Sequence, residues 1–535
     1  MELIYNKKLS SAELMFKGLV GSTEEWESIE AIKNIFWFKK TTMSEYVSQH
    51  WKEDDFYGSQ FLNGVNPNVI KRCSALPPNF PVTEEMVKPF LEKGSSLRRE
   101  MEKGNIFLCD FKRMDGLPTN VHDGEPLHVT AGFCLFYMNP EKKLMPIAIQ
   151  LNQQPSEQNP IYLPSDSETD WLLAKMFIKN ADTMYHQSVA HFMNTHCLAE
   201  VFTVATLRSF PVIHPLYKLL ISHFRDTLQI NTMSRISIFG PGGMLSKSSL
   251  GLKGMTELMR RAHIETTYSS LCLPENITAR GLESIPNFYY RDDGLKLWNI
   301  TNSFVKAVVE YYYPSDSEVR KDTELQEWIS EIFTHAFLGN KASGIPAGFH
   351  TVEEVIKFIT MVIFTVTAQH AAVNSGQFDY SSWVPNASLL LRKPPPPTKG
   401  QSSMKTILET LPDVGETATF VTMVWILSDN YTDQVRLVMI NAHYNPCTLF
   451  KCFKKTLYQT KYSVSLIYCF VLSLWQVPLG TYSEDRFDEP ATKQMIKEFQ
   501  AQLSCLSEAI STRNLQLEVP YTYLNPTEIE NSIAI

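Results

Sequence analysis

Apolar residues recur at helical spacing through most of this chain, and the longest such run, Trp171 to Leu207, contains neither glycine nor proline. The same periodicity predicts long helices over 168–208, 213–230, 253–264, 292–313, 322–338, 352–373, 402–411, 416–429 and 486–513. Shorter ones are expected from Ser10, around Glu24–Phe38 and through Glu84–Lys103. Ser165-Asp-Ser-Glu168 is a helix-entry signal ahead of the longest run. Three short strand-like runs, Ile106–Phe111, Phe133–Tyr137 and Leu144–Leu151, predict a small sheet inside a larger body. Asn63-Gly-Val-Asn-Pro67 marks a turn-rich segment, and Pro394–Pro397 an extended loop. No internal repeat interrupts this pattern. The expected class is mainly α, one large body over 1–535 with a small β subregion.

Composition narrows the classes. The 535 residues are 44% hydrophobic and 12% aromatic, with mean hydropathy −0.16, a soluble globular profile. Net charge is −8, from 49 basic and 57 acidic residues, with no basic tract, which argues against nucleic acid as a partner. The nine cysteines are scattered and form no C-x-x-C pair, which suits reduced thiols better than disulfides or a zinc site. The first residues lack the apolar core of a signal peptide, so the sequons at Asn276, Asn299, Asn386 and Asn430 are read as chance. The longest apolar runs, Phe358–Val366 and Tyr462–Trp475, are too short to span a bilayer. A cytoplasmic monomer is expected, with peripheral membrane contact left open.

One segment breaks the pattern. Residues 435–476 contain no Asp, Glu or Gly, yet carry three of the nine cysteines and many aromatics. The segment reads either as a partner-binding insertion or as translated non-coding sequence, and its composition favours the second.

The candidate chemistry lies in the longest helix. His186, His191 and His196 recur every fifth residue. In an ordinary α-helix, positions five apart are separated by about 140° around the axis, too far to share a ligand comfortably. A more loosely wound π-type turn would stack them, and such turns often mark functional sites. Two readings stand at this point: a metal-bearing helix, or three polar or half-buried histidines. His214 and His223 extend the pattern to H-x4-H-x4-H-x17-H-x8-H. Downstream, His370 and Asn374 lie four apart in another apolar helix and face the same way. Burying so many imidazoles without a partner would be unfavourable by several kcal/mol. A shared metal removes that penalty, and nitrogen and oxygen donors with no sulfur suit a non-haem iron better than zinc.

The five-histidine pattern, with Leu163-Pro-Ser-Asp166, Trp171-Leu-Leu-Ala-Lys175, Tyr290-Arg-Asp-Asp-Gly294, Ala368-Gln-His-Ala-Ala-Val-Asn374 and Glu530-Asn-Ser-Ile-Ala-Ile535, resembles the catalytic domain of animal lipoxygenases. The resemblance runs from about Met15 to Ile535, apart from 435–476. Ser44-Glu-Tyr-Val-Ser48 and Tyr311-Tyr-Tyr-Pro-Ser-Asp316 place it nearest the epidermal branch, which includes a hydroperoxide isomerase. The resemblance implies a large single α-helical catalytic domain, with the relatives' N-terminal β-barrel (PLAT-type) domain expected to be absent.

It further implies one iron held by His191, His196, His370, Asn374 and the terminal carboxylate of Ile535. His186, Gln187 and Gln377 would then neighbour the metal without binding it. Phe192, Ser234, Ile238 and Leu427 match the family's substrate cleft. Ser234 stands where relatives keep Ala or Gly, which leaves product stereochemistry open. Met233 stands where some keep a basic residue, and Arg235 beside it reads either as a carboxylate tether or as a structural ion pair. The implied activity is dioxygenation: hydrogen leaves a doubly allylic carbon of a polyunsaturated fatty acid of the arachidonate or linoleate class, and O2 adds to give a hydroperoxide. Isomerisation of such a hydroperoxide to an epoxyalcohol is the alternative. An inactive or scaffold-like product is a third reading, resting on the expected absence of the barrel and on the odd segment.

Overall fold

A computed structural model describes residues 19, 22–37, 40–241, 243–428, 477–482 and 486–535. The helix expected from Ser10 and the segment 435–476 lie outside the described residues.

Six helices position the candidate site. Helix α1 spans 168–209 without a break, as expected from its freedom from glycine and proline. Ser167 caps it by accepting a bond from the Asp170 amide, and Glu168 and Asp170 favour its positive end. Helices α2 (Thr227–Ser237), α3 (Tyr289–Tyr312), α4 (Val352–Ser381), α5 (Val414–Ser428) and α6 (Pro490–Asn514) come after it in chain order. A capping box between Thr351 and Glu354 starts α4. Helix α3 packs along both α4 and α6, and α4 meets α1 at the centre.

Helix α4 corrects one expectation. Its 30 residues make it the one helix among those described that is long and apolar enough to cross a membrane. However, 89% of its apolar window is buried inside the protein. The apolar run looks short in sequence because Thr365, Thr367, Gln369, His370 and Asn374 punctuate it, and all of these belong to the same helix. Polar residues of that kind are tolerated where neighbouring elements supply their partners.

Three further helical stretches are shorter than their periodicity suggests. Glu84–Lys103 divides into Glu84–Val87, the 3-10 turn Lys88–Phe90 and Leu97–Lys103. Pro89 has no amide to donate, Gly94 turns at φ 83°, and Ser96 starts a new helix by capping the Arg99 amide. The stretch 213–230 likewise divides into Pro215–Leu220, Ile221–His223 and α2, with Phe224 leaving helical geometry at φ −122°, ψ 12°. Among the described residues of 24–38, the helical elements are Ile29–Ile32 and the 3-10 turn Lys33–Trp37.

The small sheet appears where expected. Strands β1 (Lys71–Arg72), β2 (Ile106–Asp110), β5 (Phe133–Met138), β6 (Leu144–Gln150) and β7 (Ile161–Tyr162) pair antiparallel in the order β1-β2-β5-β6-β7. A separate ribbon joins β3 (Val121–His122) to β4 (Glu125–Pro126). The sheet is buried on both faces, so β5 reads as an uninterrupted apolar run. Phe107, Cys109, Cys134 and Phe136 face the main core, and Ile106, Leu108, Phe133 and Leu135 face a smaller cluster built on Phe80, Val87 and Leu97. Helix Asp54–Asn63 lies so close to β6 that a Cβ on Gly58 would sit 1.8 Å from the Leu144 carbonyl oxygen.

Candidate metal centre

Helix α1 changes its winding at the histidine row. It is α-helical over Glu168–Tyr185, π-helical over His186–Cys197 and α-helical again over Leu198–Ser209. The loosened ladder frees carbonyls, and the Thr195 hydroxyl donates to one of them, that of His191. Helix α4 contains a second π segment, Thr365–Gln369, immediately before His370, with the Thr367 hydroxyl donating to the Ile363 carbonyl at 2.6 Å. No histidine spacing announces this second segment.

The two π segments bring three rings together. His196 Nε2 lies 3.1 Å from His191 Nε2 and 3.2 Å from His370 Nε2, and the ligand atoms of all three lie within 4.8 Å of one another. All three residues are buried, at 3–4% exposure. Burial holds each ring neutral: the His196 pKa falls to about 4, and those of His191 and His370 fall well below 6.5, lowered further by the neighbouring rings. The Asn374 side chain lies beside the His191 ring and the main chain of Ile535 beside the His370 ring, so the five predicted ligand residues lie together here.

This donor set fits a cation. Neutral imidazole nitrogens aimed at one another in a dry interior repel unless a positive centre lies among them, and protonating one would bury an unpaired charge. Three imidazoles, an amide side chain and a main-chain terminus form a nitrogen–oxygen site that could hold a metal ion.

The neighbouring polar groups are tied into this arrangement. Gln187 Nε2 donates to Gln377 Oε1 at 2.6 Å, and Gln377 Nε2 donates to Asn374 Oδ1 at 2.8 Å. This chain links α1 to α4 and fixes which way the Asn374 amide points. His186 keeps its nitrogens out of the cluster: its ring stacks on His191 at 5.9 Å, but its Nε2–H donates to the Val373 carbonyl at 2.6 Å.

The last two histidines of the row are architectural. His214 Nδ1 accepts from the Leu216 amide and so caps the next helix, while its other nitrogen meets Asp322 at 3.1 Å. His223 Nδ1–H donates to the Asn531 carbonyl at 2.8 Å, and its Nε2 accepts from the Tyr482 hydroxyl at 2.6 Å. His223 therefore anchors the segment that delivers Ile535.

Among the predicted cleft residues, Phe192 stacks on Phe239 at 3.9 Å and lies 6.0 Å from the His196 ring. Ile238 and Leu427 are buried in the main core, and Ser234 is half-buried on α2. Arg235 pairs with Glu200 at 2.5 Å, which is the ion-pair reading of that residue. Three residues have roles at the site that were not legible in sequence. Asn231 bonds His196, Tyr290 donates to Gln369 beside His370 at 2.6 Å, and Asn531 holds the tail. Asn231 is a single polar residue on an amphipathic helix and carries no distinguishing signal, while Tyr290 and Asn531 lie in the Tyr290–Gly294 and Glu530–Ile535 motifs, which do not announce these bonds.

The lipoxygenase family model matches residues 5–465. The chain belongs to the lipoxygenase family. It is 43% identical over 534 residues to hydroperoxide isomerase ALOXE3 of Mus musculus, spanning 100% of this chain and 69% of that protein. It is 42% identical over 536 residues to the polyunsaturated fatty acid lipoxygenase ALOX8 of Mus musculus, spanning 100% of this chain and 73% of the relative. Among solved structures, a calcium-dependent 11R-lipoxygenase superposes with TM-score 0.86 at 32% identity, covering 98% of this chain and 72% of its own. Coral 8R-lipoxygenase gives 0.85 at 32% identity, covering 99% and 75%. The chain is thus a lipoxygenase-type oxidoreductase with a mainly helical catalytic fold. Two of the gathered histidines, His191 and His196, belong to the row that carried the family's signature in sequence, and His370 comes from the Ala368–Asn374 motif.

Proposed function

We propose that this lipoxygenase binds one non-haem iron through His191, His196, His370, Asn374 and the terminal carboxylate of Ile535, and dioxygenates polyunsaturated fatty acids. The convergence of three buried, neutral imidazoles carries this reading. When bound, iron would supply the one-electron chemistry that removes hydrogen from a doubly allylic carbon. The chain's own residues do the rest. Gln187 and Gln377 hold the Asn374 amide. Phe192, Ile238 and Leu427 are assigned to an apolar wall along the acyl chain, with Ser234 at its edge. A dry, apolar surround keeps the carbon radical away from side reactions until O2 arrives.

A second reading is favoured by the similarity to hydroperoxide isomerases of three mammals at 42–43% identity: conversion of a fatty acid hydroperoxide to an epoxyalcohol on the same site. One experiment separates the readings. Purified protein is assayed for iron, then given arachidonate or linoleate in air, and a purified hydroperoxide without O2. Oxygen uptake with a conjugated diene supports dioxygenation. Anaerobic loss of hydroperoxide with no oxygen uptake in the first arm replaces it with isomerisation. Absence of iron and of both products overturns both readings in favour of a scaffold role.

A further inference from the structure

Asn231 lies on α2, outside the residues assigned to the metal, yet it is fully buried and engages His196 twice. Its Nδ2 donates to the His196 carbonyl at 2.7 Å and to Glu200 Oε2 at 2.8 Å. Both amide hydrogens are therefore spoken for by groups that can only accept. A flipped amide would set its oxygen against a carbonyl and a carboxylate, so the orientation is fixed. That leaves Oδ1 as the acceptor facing His196 Nδ1 at 2.9 Å, and the proton must sit on Nδ1. Neutral His196 then has its lone pair on Nε2, the atom that faces His191 and His370. Glu200 is held in turn by Arg235, whose side chain is 49% exposed.

We propose that Asn231 is a positioning residue that selects the Nδ1–H form of His196 and aims its Nε2 at the metal, with Glu200 and Arg235 orienting Asn231 from the surface. Helix α2 thereby joins the centre without contributing a ligand. Glu200 lies one turn beyond His196 on α1, so the relay fastens α2 to the end of the π segment as well. A hydrogen bond from the distal nitrogen of a ligating histidine fixes both ring orientation and basicity.

The inference rests on the iron reading, and the experiment keeps the two apart. Wild type, Asn231→Leu, Glu200→Ala and Glu200→Gln are stripped, reloaded with Fe(II), and titrated with a competing chelator while circular dichroism monitors folding. Asn231→Leu is expected to weaken iron binding by about 10- to 100-fold. Glu200→Ala should weaken it less, and Glu200→Gln, which keeps an acceptor for Asn231, should restore it. A general packing defect would not discriminate between the two Glu200 variants. If Asn231→Leu fails to fold, the Glu200 pair decides the matter. Wild-type affinity in both Asn231→Leu and Glu200→Ala, or equal loss in the two Glu200 variants, overturns the positioning role while leaving the iron reading intact. Failure of wild type to bind iron overturns both.

Discussion

Asn531 offers the sharpest test of how the tail is delivered. It is 1% exposed and makes three side-chain bonds: Gly480 N–H to its Oδ1 at 3.1 Å, and its Nδ2 to the carbonyls of Ser222 at 3.3 Å and Thr481 at 3.0 Å. Its backbone adds the bond from His223 and one to Val477 O at 2.7 Å, both of which survive truncation to alanine. Each net bond contributes about 1 kcal/mol, and the Gly480 amide left buried without an acceptor adds roughly as much again. Asn531→Ala should therefore disfavour the docked tail by about 4 kcal/mol, roughly a 1,000-fold shift. The effect is local, because α6 and the main core are untouched. Under the proposed ligation, Ile535 leaves the metal with the tail. The expected result is faster iron loss to a chelator, with faster amide exchange over 529–535 and little change in the thermal midpoint. Retention of iron at the wild-type rate, alongside accelerated exchange of the tail, would refute the idea that tail docking holds the metal.

Three further outcomes are expected. Burial lowers the pKa of His186 and His223 from 6.5 to about 4, so their contribution to stability is complete above pH 6.5 and is lost as pH falls toward 4. Urea unfolding of iron-stripped protein should show stability falling through that window, by up to about 3 kcal/mol per ring, and a flat profile would contradict it. Gln377→Ala removes the bond to Asn374 Oδ1 and the partner of Gln187, and should lower iron affinity or product formation by about 10-fold or more. Unchanged iron binding and turnover would place Gln377 outside the functional network. Excising residues 435–476 should leave product formation unchanged or raise it. Loss of an activity that the intact chain possesses would show that the segment is needed.

Much of the fold was legible because periodicity records burial directly. The unbroken apolar period of 168–209 and the three apolar strands correspond to elements within a residue or two of their expected ends. Where the reading failed, a local feature outweighed the period: Pro89 and Gly94 in one helix, Phe224 in another. The five-residue histidine spacing announced the π segment because no ordinary helix brings such positions together.

The sequence by itself thus determined which residue types are available and on which helical faces they recur, since both follow from chain-local geometry. Only the tertiary structure decided which of the histidines converge. His191 and His196 meet His370, which is 174 residues away along the chain, while His186, His214 and His223 turn to carbonyl, amide, carboxylate and hydroxyl partners of their own. The physical reason is that a ring's role depends on what faces each of its two nitrogens. Those partners, Asn231 on α2, Val373 on α4 and Asn531 in the tail, come from elements that sequence spacing does not relate to one another.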